Sequence, residues 1–370
     1  MAAALFLPSS LAAWLDADRP DVAARIAPWN ARVAADAAAA LRADPRRPQV
    51  RDQVSKALAR DLTLASAIEL RAADLASSGK HAEASRLFRL SDSLSRRSLP
   101  TRLWLIQDSV DRGDVAGALR NFDIALRTST DAPPILYPVL AKAAADPSLT
   151  VPLARTLDRP SDWRLLFLNW TLANGANLGS IANVVGHMRD SPFITENDVD
   201  QRLIETLVTA RNFQPAVLLR QRFGSPQRGL VADPNFADAS ARYPFGWGLV
   251  TGGSLGAERA TGSTLAYHGA PLQSGQVAGQ LLGLPPGRYS LTAKAAAAAS
   301  GQAPYWSITC GRQEGAELVR LDQPLVAALE AKAEFAVPMG CAAQWLTLSL
   351  QPGSESAQSG SVASINVTRL

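Results

Sequence analysis

"LLGLPPGRYSLTAKA", Leu281 to Ala295, reads as a Pro-Pro-Gly turn feeding a strand, with Tyr289, Leu291 and Ala293 spaced two apart and so on one face. Its surroundings repeat the texture. From Gly229 onward Gly and Pro are frequent, and strand-length runs alternate with turn signals: "FGWGLVTGG", "STLAYHG", "GQVAGQLLGL", "YWSITCG", "EFAVP", "QWLTLSL" and "SVASINVTRL". Seven or eight short strands in the last 140 residues predict an all-β sandwich over 233–370.

The part before it is different. It is alanine-rich and helical in pattern, and its strongest signal is an internal repeat. Ala72, Gly79, Ala84 and Phe88 in "AADLASSGKHAEASRLF" are each followed 34 residues later by Ile106, Gly113, Ala118 and Phe122 in "IQDSVDRGDVAGALRNF". A small residue lets antiparallel helices approach, a large one fills the groove beside it, and Gly79 and Gly113 suit a turn at positive φ. A fainter copy upstream aligns Ala38, Pro45, Val50 and Val54. "TDAPPILYP" interrupts the array, and "SDWRLLFLNWTLANG", "LGSIANVVGHMRDS" and "ENDVDQRLIETLVTARNFQPAVLLRQRFG" continue as helical hairpins without the signature, Leu203, Leu207 and Ala210 falling at i, i+4 and i+7.

The expected organisation is therefore a segment 1–19, a helical domain over 20–223, a Gly/Pro linker over 224–232 and a sandwich over 233–370. The repeat resembles the tetratricopeptide family across about residues 20–130, with Trp104 and Ala125 in keeping and Ser91 standing where Ala is usual. That resemblance implies an α-solenoid that docks a protein partner. The β part resembles jelly-roll carbohydrate-binding modules through Asn235, Phe236, Gly246 and Trp247, then "PPGRYSL" (Pro286, Gly287, Tyr289, Leu291), then Ile365 and Asn366. The resemblance implies a jelly roll holding a glycan. Acidic residues that serve a structural calcium in such modules are replaced here by Ala237 and Asn366, so no metal is expected.

Composition narrows the function classes. The 370 residues carry a net charge of +4, but residues 230–370 hold 8 Lys+Arg against 9 Asp+Glu, a net of −1, which leaves +5 on the first 229. Nothing is denser than the pairs Arg46-Arg47 and Arg96-Arg97, so no nucleic-acid partner is expected. The apolar start "MAAALFLPSSLAAWL" is too short to cross a bilayer and has no basic leader region. It reads as a poor signal peptide, as the tail of a membrane anchor, or as a first helix. Cys310 and Cys341 are the two cysteines. They are either two buried thiols or a disulfide, and the bonded reading points to an oxidising compartment such as the periplasm.

Catalytic motifs are missing. His81, His187 and His268 are scattered, and there is no H-E-x-x-H, G-x-S-x-G, P-loop or G-x-G-x-x-G. "TGGSLG", Thr251–Gly256, lacks the Lys of a phosphate cradle. Neither a cofactor nor a metal is called for. The carboxylates of the β part, Asp233 and Asp238 among them, read as surface acids, although a hidden pair would make a glycosidase.

Aromatic residues remain as the lead, since sugar rings stack on flat exposed side chains. Alternation puts Trp306, Ile308 and Cys310 toward the core and Tyr305 outward; Leu346, Leu348 and Leu350 toward the core and Trp345, Thr347 and Ser349 outward. Trp247 is expected in the core. The ligand-binding candidates are Trp345, Tyr305, Thr347 and Ser349. The expected protein is a non-enzymatic component of a bacterial cell envelope, tied by the paired resemblances to surface-polysaccharide assembly or export. A pure protein-interaction scaffold and a glycan-processing enzyme are its alternatives, and a missing or short N-terminal segment could attach it to a membrane.

Overall fold

The computed structural model describes Arg32, Ala35, Asp36, Ala39 and residues 48–224, 229–311, 316–353 and 355–370. The segment 1–19, with its signal, anchor and helix readings, lies outside these residues, as do Ala38 and Pro45 of the fainter repeat. The chain is a helical region followed by two antiparallel sheets. It divides into two compact units, 1–170 and 171–370.

In the first unit the helices are α1 (Pro48–Arg60), α2 (Ala65–Ser77), α3 (His81–Leu94), α4 (Leu99–Asp111), α5 (Val115–Thr128), α6 (Ala132–Ala143), α7 (Thr150–Asp158) and α8 (Asp162–Asn174), the last running up to and across residue 170. The pairs α2/α3 and α4/α5 have matching lengths, and the second pair starts 34 residues after the first, 65 to 99 and 81 to 115. Gly79 and Gly113 take the turns at φ +77° and +69°. Ala72 and Ala84 are fully buried where α2 meets α3, and Phe88, Ile106, Ala118 and Phe122 are buried as well. Trp104 stacks on Phe88 across successive hairpins, ring centroids 4.5 Å apart.

Ser91, in place of the usual Ala, is fully buried without loss because its hydroxyl donates to the Ala65 carbonyl at 3.1 Å. Arg102 is buried too, its guanidinium held by Asp92 and by Oδ1 of Asn121. "TDAPPILYP" is not a break in the helices. It forms α6, with Pro133 in the first turn, where a missing N–H costs nothing, and Pro138 inside.

The second unit opens with α9 (Leu178–Gly186), α10 (Pro192–Glu196), α11 (Val199–Thr209) and α12 (Phe213–Phe223). These helices group with the sandwich in the second compact unit; residues 225–228 of the expected linker 224–232 lie outside the described residues. Sheet A has the order β1 (Gly248–Leu249), β4 (Gly275–Leu282), β9 (Gln344–Leu350), β6 (Tyr305–Cys310), β7 (Glu317–Asp322); sheet B has β2 (Leu255–Ala260), β3 (Thr264–Gly269), β10 (Gln358–Arg369), β5 (Gly287–Ala295), β8 (Glu330–Val337). Their inner faces share one core, with Trp306, Ile308, Leu346, Leu348, Tyr289, Leu291 and Ile365 wholly buried.

Trp247 belongs to that core. Its Nε1 donates to the Asp233 carbonyl at 3.0 Å, and its ring meets Phe236 and Trp306. Cys310 and Cys341 are joined, 5.7 Å apart at Cα, closing a loop of sequence separation 31. Two buried glutamines act as spare backbone. Gln280 accepts from the Ala232 N–H at 2.9 Å and donates to the Ala232 carbonyl, while Gln344 accepts from the Leu284 N–H at 2.9 Å and donates to the Cys341 carbonyl. Gln344 thus ties the disulfide loop to the turn that enters β5.

Candidate functional site

The outer face of sheet A is built from small residues flanked by flat ones. One row crosses all five strands: Gly248 of β1 opposite Gly279 of β4, Gly279 opposite Thr347 of β9, Thr347 opposite Ser307 of β6, and Ser307 opposite Arg320 of β7. Thr347 and Ser307 link their hydroxyls at 2.8 Å. Trp345 lies opposite Thr309 and Leu281 in the next row, and Tyr305 lies opposite Ser349 and Asp322 in the row on the other side. The four candidates of the sequence reading, Trp345, Tyr305, Thr347 and Ser349, therefore share one face; the first three are half-buried and Ser349 is almost covered.

Glycine has a definite task in this row. A Cβ at Gly248 would lie 2.7 Å from Cδ2 of Tyr243, and one at Gly279 would lie 2.6 Å from Nε2 of Gln276. A bare backbone at Gly248 lets the Tyr243 ring approach the sheet, whereas at Gly279 the flexible Gln276 amide could move aside. Tyr243 is 50% exposed, and its ring stacks beside Trp345 with centroids 6.1 Å apart and planes 27° from parallel. Sequence reasoning missed Tyr243, because it sits in a loop with no alternation to orient it; the close pair Gly246 and Gly248 was the available signal.

At the β7 edge the Arg320 guanidinium lies 3.6 Å over the Tyr305 ring and donates to Oε1 of Gln351 at 2.7 Å. The opposite border is helical. Val217 of α12 stands 2.8 Å from where a Gly283 Cβ would be, and Phe213 stands 3.1 Å from that of Gly311, so α12 covers the sheet end beyond Trp345. The face presents the exposed Tyr243 ring and Gln276, the half-buried Trp345, Thr347 and Tyr305 between them and Arg320, and beneath them the buried Ser307 and Ser349. Such a surface can stack on an apolar ring face while exchanging hydrogen bonds with hydroxyls around its rim.

The unit also contains a cavity of about 860 Å³ whose lining includes Asp198, Asp200, Arg220, Asp233, Asp238, Arg242 and Asn366. Its charges are largely matched internally. Arg242 pairs with Asp198 at 2.6 Å, and Asp233 accepts from Arg259 at 2.7 Å and from the Asp238 N–H at 2.9 Å. Ser240 holds the Asp238 carboxyl below its ordinary range through backbone and side-chain hydrogen bonds. Burial pushes the Asp200 carboxyl up and, at Arg220, weakens the hold on the guanidinium proton. Among the described residues no three His, Cys, Asp or Glu side chains cluster so as to hold a metal ion.

No family model matches the sequence, and no curated protein matches it. Among solved structures, a carbohydrate-binding module described under "CBM4 structure and function" is 17% identical, matches 34% of this chain and 96% of its own with a TM-score of 0.27. The module TmCBM61, in complex with beta-1,4-galactotriose, is 14% identical over 39% of this chain and all of its own, with a TM-score of 0.26. A family 16 carbohydrate-binding module is 17% identical over 31% of this chain and 86% of its own, with a TM-score of 0.24.

Proposed function

We propose that this chain is a non-enzymatic binding protein whose sandwich holds a glycan on the outer face of sheet A, with Trp345 and Tyr243 as the stacking platform. One observation carries the reading: the exposed Tyr243 ring lies near-parallel to the half-buried Trp345 ring, two residues along β9 from the half-buried Thr347, whose hydroxyl is linked to that of the buried Ser307. A ring-shaped, hydroxyl-rich ligand fits both halves of that surface. In the cavity, the pairing of Asp233, Asp238 and Asp198 with protein donors favours binding over acid–base chemistry.

The helical unit is proposed as a tetratricopeptide-like array that docks a protein partner, supported by the 34-residue offset of its two hairpins. The Cys310–Cys341 bond supports an oxidising compartment, and with it an envelope role in polysaccharide assembly or export. No described helix is long and apolar enough to cross a membrane.

The test is retention of the full chain on a panel of immobilised polysaccharides, compared with Trp345→Ala and Tyr243→Ala. A polysaccharide that retains the parent chain and releases both variants is the expected result. Retention unchanged by both substitutions would remove the platform from the binding site. Loss of a protein partner with the same two substitutions, and no glycan retained, would make the face a protein-docking surface instead.

A further inference from the structure

The helical unit carries a second surface with its own chemistry. On α5, Val115 and Leu119 lie one turn apart, and on α7 Pro152 and Thr156 do the same; the two stripes border a groove of about 340 Å³. Its floor is largely apolar. Its rim is cationic, since Arg120 of α5, Arg155 of α7 and Arg159 just beyond α7 line the same groove, all three exposed.

Asp123 is the acid in that lining, and it is engaged elsewhere: Oδ1 accepts from Nε of Arg127 at 2.8 Å and from Nε1 of Trp163 at 2.8 Å. Among the described residues, no carboxylate forms an ion pair with Arg120, Arg155 or Arg159; Arg60, Arg86, Arg96 and Arg97 of the same unit are likewise without one, and what sets the three apart is that they line one groove. Three guanidiniums without a counter-charge line one apolar trough, within the first 229 residues, which carry the +5 excess.

We infer that this groove binds an acidic, amphipathic peptide segment of a partner protein. Its apolar side chains lie on Val115, Leu119 and Pro152, and its carboxylates take the fork of N–H donors that each arginine offers. A neutral helix would leave the three charges unanswered. A basic segment would be repelled, so the rim selects as well as attracts. The inference rests on the reading that the helical unit docks a protein, and it names the chemistry of that partner.

The experiment selects peptides from an unbiased random library on the full chain, then measures the winners against Arg120→Glu/Arg155→Glu/Arg159→Glu and against a control reversing the exposed Arg86 and Arg97. Circular dichroism checks that both variants keep their helices. Enrichment of Asp/Glu flanking apolar residues is expected, with affinity falling at least tenfold in the triple variant, little in the control, and steeply with salt. Winners without acidic bias, or unchanged by the triple reversal, would overturn the inference while leaving protein docking intact. No peptide that competes for the helical unit would overturn both. If heparin or anionic lipid vesicles bind with the same sensitivity and the peptides do not, the groove is a general polyanion surface and the peptide assignment fails.

Discussion

Trp306 and Trp345 lie on neighbouring strands of one sheet and do opposite things. Period-two alternation was enough to separate them, because three leucines fix the inner face of β9 and leave Trp345 outside, while Ile308 and Cys310 carry Trp306 inward. Trp306 has no exposure and donates to Oε1 of Gln323 at 2.7 Å. Trp306→Ala is therefore expected to cost about 3–5 kcal/mol in denaturant unfolding, and Trp345→Ala less than about 1 kcal/mol. Equal losses would place Trp345 in the core. Asp200 gave no sign in the sequence, since its character comes from the groups around it. Burial raises its folded-state pKa, so the neutral carboxyl is favoured on folding; that stabilisation is complete below the unfolded value, about 3.9, and is lost as pH rises through the folded one. Asp200→Asn keeps the neutral form at every pH. It should raise the thermal midpoint at pH 7 relative to the parent chain, and the gap should close below about pH 4. A gap independent of pH would assign the effect to packing.

Among elements, the helical hairpins were legible because a 34-residue repeat leaves the same marks twice: a small residue at the close approach, glycine at the turn, a large ring one turn on. Gly79 and Gly113 stand in open space, so a methyl group meets no neighbour and only the positive φ opposes it. Gly79→Ala and Gly113→Ala should each destabilise the helices by about 1 kcal/mol, read as a shift in the denaturant midpoint at constant slope. No change would mean the turns relax to negative φ. Gln344 was not legible. Alternation places Gln344 on the inner face with Leu346, but nothing in "QWLTLSL" says that it serves a loop 60 positions away, because the partner groups are backbone. Gln344→Leu should cost about 1–3 kcal/mol by orphaning the Leu284 N–H and the Cys341 carbonyl, whereas Gln344→Glu tests charge in the same space. A silent Gln344→Leu would show that the bridge is replaceable.

At the scale of the whole molecule, sequence composition set the class, helices and then a sandwich, and put a seam at 224–232, whereas the contacts within the chain divide it at residue 170. A Gly/Pro-rich stretch looks like a boundary, yet α9–α12 group with the sheets, and Val217 and Phe213 of α12 stand against Gly283 and Gly311, just beyond the ends of β4 and β6. A fragment starting at Gly175 should melt cooperatively and at a higher temperature than one starting at Asp233, which loses that cover. Identical midpoints would return the boundary to 224–232. Reduction of the Cys310–Cys341 bond should lower the stability of the sandwich by about 3–4 kcal/mol, seen as a lower denaturant midpoint with dithiothreitol than without.

The order of sheet B reaches further than stability. β10 lies between β3 and β5, pairing Val362 with Leu265 on one side and Ile365 with Ala293 on the other, although it follows both in the chain. While a ribosome is still making the chain, β3 and β5 each have an open edge and no neighbour to close it. The sheet is two loose ribbons until the last strand slides in, after the rest of the sandwich has emerged. Nascent chains stalled before Gln358 should accordingly be protease-sensitive and chaperone-bound, and the step from waiting ribbons to finished sheet should govern how fast the protein becomes usable.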